Sequence, residues 1–75
     1  MKNKRMLKKY IDALKSRLPE AEVTERSDPP VGADFYIRVK VPDDKVEDAL
    51  DITSELTYNW YIDHRIYVLA GTTST

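Results

Sequence analysis

The sequence predicts a small α+β domain, a two-layer αββαβ sandwich in which both helices cover one face of a three-stranded mixed sheet. Three observations carry that expectation. Residues 34–41 alternate strictly, with Phe35, Ile37, Val39 and Val41 on one side and Tyr36, Arg38 and Lys40 on the other, the period of a strand with one buried face. Two other stretches repeat apolar residues at helical spacing. After the second of them, His64 to Ala70 (His-Arg-Ile-Tyr-Val-Leu-Ala) returns to strand composition. Strand, helix and strand in so short a span form a βαβ unit, which is expected to be parallel and right-handed.

The first element is an amphipathic helix over Asn3 to Leu18. Leu7, Tyr10, Ile11, Leu14 and Leu18 form its stripe, and Pro19 ends it. Glu20 to Arg26 reads as a weaker strand with Ala21 and Val23 inward and Glu22, Thr24 and Arg26 outward. Ser27 to Ala33 holds two prolines and a glycine, so it is a connector, and the first two strands make a loose hairpin. Pro42 closes the second strand. Asp44 and Glu47 then stand at capping-box spacing, opening a helix that runs to about Tyr61. Its expected buried face is Val46, Ala49, Leu50, Thr53, Leu56 and Trp60, with Trp60 as a core anchor. In the third strand Ile66, Val68 and Ala70 alternate with Tyr67 and Leu69, so it is apolar on both sides. Sequential order 1-2-3 would put that strand at the sheet edge, where it needs cover; otherwise it is central. The domain is expected to span residues 1–70, with Gly71 to Thr75 a disordered polar tail.

Seventy-five residues make one domain, and a chain of that size buries only about 60% of its unfolded surface. With no cysteine, no disulfide or thiolate metal site can reinforce it, and the single histidine, His64, excludes a multi-histidine site. Association with partner chains is the expected source of additional burial. No apolar run approaches the ~18 residues of a membrane span, and a cytoplasmic address is expected. Residues 1–18 carry seven basic groups and one acid, whereas residues 19–75 carry five basic and twelve acidic groups. Surfaces of opposite sign are therefore expected.

Two surfaces stand out. The open sheet face would show Tyr36, Arg38, Lys40, Arg65, Tyr67 and Leu69, a mixture suited to a homodimer interface or to plain solvent exposure. Aromatic and basic groups so interleaved also fit RNA or single-stranded nucleic acid, with help from the basic first helix. The second surface is an acidic stripe, Asp44, Glu47, Asp48, Asp51 and Glu55, leading to Tyr58. Its i,i+4 like-charge pairs each cost about 0.2–0.5 kcal/mol. It is either a solvated face or a docking surface for a basic partner. Carboxylates along one straight helix do not converge on a cation.

No catalytic residue, cofactor or metal ligand is expected. The serines lack nucleophile-elbow glycines, His64 lacks a partner, and two glycines, Gly32 and Gly71, do not make a phosphate-binding loop. The chain reads as a small non-catalytic protein-interaction module that self-associates. Ala33-Asp34-Phe35-Tyr36-Ile37-Arg38-Val39, the acidic helix and Ser54-Glu55-Leu56-Thr57-Tyr58 resemble the C-terminal half of minimal nucleotidyltransferase domains. Asp34 stands where the first aspartate of their Asp-x-Asp metal pair lies, but Tyr36 occupies the second position and no Gly-Ser turn precedes it. The resemblance implies a shared scaffold with the metal site lost. The αββαβ layout is also similar to BolA-like and type II KH domains. Without the Gly-x-x-Gly loop of the latter, that likeness implies fold alone.

Overall fold

The structure, a computed structural model, describes residues 4–74. In chain order it comprises α1 (Lys4–Arg17), β1 (Glu22–Arg26), β2 (Phe35–Val41), a 3₁₀ turn (Asp43–Lys45), α2 (Val46–His64) and β3 (Val68–Ser74). The α+β layout is therefore αββαβ, and the sheet order is β1-β2-β3. β1 pairs antiparallel with β2, and β2 pairs parallel with β3. The start of the first helix at Asn3 and the last tail residue, Thr75, lie outside the described residues.

The alternation in β2 does what its period requires. Phe35, Ile37, Val39 and Val41 are buried, while Arg38 and Lys40 are exposed and Tyr36 is half-buried. Leu7, Tyr10, Leu14 and Leu18 bring the stripe of α1 into the same core, which Ala49, Leu56 and Val68 complete. Ala33 N–H donates to the Pro30 carbonyl at 3.1 Å, closing a turn in which Gly32 takes φ +96°. That left-handed value at the third turn position is one glycine adopts without steric cost.

Several boundaries depart from the sequence reading. No side-chain cap closes the start of α2. Instead Lys45 N–H bonds the Pro42 carbonyl at 2.9 Å, and the 3₁₀ turn leads into the helix, so the Asp44–Glu47 capping box does not form. Leu50, expected inside, is 49% exposed because it lies on the flank of α2 rather than under it. The helix continues past Tyr61 to His64, and Arg65 ends it in the left-handed conformation (φ 56°), its N–H on the Tyr61 carbonyl at 3.0 Å. His64 is thus a helix residue, not the start of a strand.

The third strand is displaced accordingly. Ile66 and Tyr67 serve as the return segment, and pairing begins at Val68 opposite Phe35 and ends at Ser74 opposite Val41. Gly71 to Ser74 are sheet, not a disordered tail. Two threonines suit that role, because a β-branched side chain fits the pleated surface. The long partner strand β2 supplies the backbone groups they pair with.

Candidate interaction site

A relay of hydroxyls ties the layers together beside the site. Thr57 Oγ1 donates to the Val68 carbonyl at 2.9 Å and lies 2.9 Å from the Tyr10 hydroxyl, which also reaches the Thr53 carbonyl at 3.2 Å. One buried thread therefore joins α1, α2 and β3. Burial raises the pKa of Tyr10 above 10.0, and the hydrogen bond with Thr57 opposes that shift in part. Trp60 closes the other end of the helix seam. Its indole N–H donates to the Met6 carbonyl at 2.9 Å, and its ring meets that of Tyr10 edge-on at 5.5 Å.

Asp34 fixes where β3 starts. One carboxylate oxygen, Oδ2, accepts the Tyr67 N–H at 2.8 Å, and its own N–H donates to the Tyr67 carbonyl at 2.9 Å. This carboxylate holds backbone. Among the described residues, no group of three or more histidine, aspartate or glutamate side chains is arranged to hold a metal ion.

With β3 so placed, a groove of about 660 Å³ opens between its free edge and the flank of α2. Thr53, Ser54, Thr57, Tyr58 and Tyr61 line it from the helix, Tyr67 to Ala70 line it from the strand, and Gly32 borders it from the β1–β2 loop. Tyr58 and Tyr61 remain 66% and 49% exposed. The edge itself carries no charge along Val-Leu-Ala-Gly-Thr-Thr-Ser. The opposite edge, β1, reads Glu-Val-Thr-Glu-Arg, and such charges discourage strand addition.

The expected open-face cluster forms only in part. Tyr36, Arg38 and Lys40 share that face with Leu69, which is in register with Tyr36. Arg65 does not join it. Arg65 caps α2 with its guanidinium 6.0 Å from the Tyr61 ring, and Tyr67 lines the groove. Lys40 is in register with Glu22, which sets an acid beside the basic pair. The tyrosine ring of Tyr36 lies over Gly71, in register with Arg38.

The acidic residues Asp44, Glu47, Asp48, Asp51 and Glu55 are all exposed, as is Tyr58. Glu55 pairs with Arg17 of α1, and Lys4 pairs with Glu25 of β1 at 3.3 Å. The two charge surfaces therefore meet partly within one chain. Both pairs are solvent-exposed, where such bridges contribute only about 0–1 kcal/mol.

Sequence reasoning missed the groove. Its tyrosines were visible, but the side of α2 that overhangs the sheet edge depends on strand order, which periodicity does not report. Compared with known proteins, the chain matches no family model, no curated protein and no solved structure. Among the described residues no helix is long and apolar enough to cross a membrane.

Proposed function

We propose that this chain is a small non-catalytic protein-interaction module that self-associates. The observation that carries this reading is the uncharged edge of β3 beside a tyrosine-lined groove. Unpaired strand edges template the addition of another strand, and folded proteins ordinarily blunt them with charge, proline or cover. β3 carries neither charge nor proline among its seven residues. Tyrosine is enriched in protein interfaces because its ring buries area while its hydroxyl finds a partner. The carboxylates of the acidic stripe support a role without chemistry, since they are spread along exposed helix rather than turned towards one another in a cleft. Sedimentation velocity across the micromolar range tests the reading. The expected result is a shift with concentration from the 8.7 kDa monomer towards a dimer. A monomer at every concentration overturns it.

A further inference from the structure

Resting on that self-association, we infer that the occupant of the β3 edge is the β3 edge of a second copy, paired antiparallel about a two-fold axis through Gly71. The register decides which groups are on offer. Phe35 N–H donates to the Tyr67 carbonyl, and Phe35 is in register with Val68. In the evenly spaced ladder of a parallel pair, Leu69, Gly71 and Thr73 then bond β2. The backbone groups of Val68, Ala70 and Thr72 point away from the sheet. Thr57 already takes the Val68 carbonyl. Ala70 and Thr72 keep N–H and carbonyl groups directed outward.

Those two residues flank Gly71 symmetrically, so a two-fold there lets Ala70 of one copy exchange both backbone bonds with Thr72 of the other. Gly71 then faces its own counterpart at the narrow, non-hydrogen-bonded position, where the absence of a side chain permits close approach. An isologous contact requires a surface complementary to itself. An uncharged strand meets that condition, because self-pairing sets no like charges opposite one another.

The same axis runs the two α2 helices antiparallel alongside each other. Leu50, Tyr58 and Tyr61, each about half exposed or more, lie on the flank that would be covered.

Two measurements on the full chain test the inference. In amide hydrogen exchange at concentrations where sedimentation shows a dimer, Ala70 and Thr72 should be protected, and their protection should fall on dilution. Leu69 and Gly71 should stay protected throughout. Thr72→Pro removes one outward donor from each copy without removing a bond to β2, and the Thr72 hydroxyl has no partner to lose. It should remain folded by circular dichroism and raise the dimer dissociation constant at least about tenfold. Free exchange of Ala70 and Thr72 in a demonstrated dimer overturns the pairing while self-association stands. So does a folded Thr72→Pro dimer of unchanged affinity, or loss of the dimer on Arg38→Glu alone, which would assign the contact to the open sheet face. If Thr72→Pro fails to fold, the exchange pattern of the unaltered protein decides. A monomer at all concentrations removes both this pairing and the reading beneath it.

Discussion

Tyr10 shows how one side chain couples the core to solution conditions. Its hydroxyl is buried against Thr57 and the Thr53 carbonyl, and the folded state favours the neutral phenol, so its pKa lies above 10.0. In the unfolded chain the phenol ionises near the ordinary value. Between the two values the folded form keeps a proton that the unfolded form has released, and stability falls as pH rises. The contribution is complete below pH 10.0 and is lost as pH climbs through the raised folded value. Denaturant melts from pH 8 to pH 11 should therefore show a decline confined to the alkaline end. Tyr10→Phe should cost about 0.5–1.5 kcal/mol at neutral pH, the ordinary worth of a hydrogen bond, because the Thr57 hydroxyl still has the Val68 carbonyl. The variant should also flatten the alkaline decline. An equal decline in the variant would place its cause elsewhere. The aromatic stripe position of Tyr10 was legible from helical spacing, but its polar partners, contributed by residues more than forty positions away, were not.

At the scale of elements, local pattern predicted what local pattern controls. Period 2 located β2 to within a residue, and both apolar stripes located their helices. Where a nonlocal group decides, the reading slipped. His64 to Tyr67 has strand composition, yet Arg65 reverses the chain and the Asp34 carboxylate takes the Tyr67 N–H, which delays pairing to Val68. Gly71 to Ser74 has the composition of a tail, but β2 extends far enough to pair it. Gly71 invites a direct test. A Cβ there would meet the Tyr36 ring at 3.6 Å, an ordinary contact. Glycine inside a strand costs roughly 0.5–1 kcal/mol relative to alanine through the freedom it loses on folding. At concentrations where the chain is monomeric, Gly71→Ala should therefore raise the thermal midpoint by about 2–8 °C for a domain of this size. A lowered midpoint would show that the backbone at 71 is not an ordinary strand position.

For the molecule as a whole, the seam between the helices matters as much as the sheet. Tyr10 and Leu14 of α1 are buried as completely as the centre of β2, and Leu7 nearly so, so undocking this helix would open the core. Helix and sheet should be lost together. The lone tryptophan makes that visible. Trp60 touches α1 through the Met6 carbonyl and the Tyr10 ring, so its fluorescence reports the docking of one helix, whereas far-UV dichroism reports the whole backbone. In urea the two signals should trace one transition with a single midpoint, as expected for all-or-none unfolding. Emission that shifts red before the ellipticity falls would reveal α1 leaving a sheet that persists without it. The indole thus gives the chain an optical gauge of its own assembly, readable without a label or a bound partner.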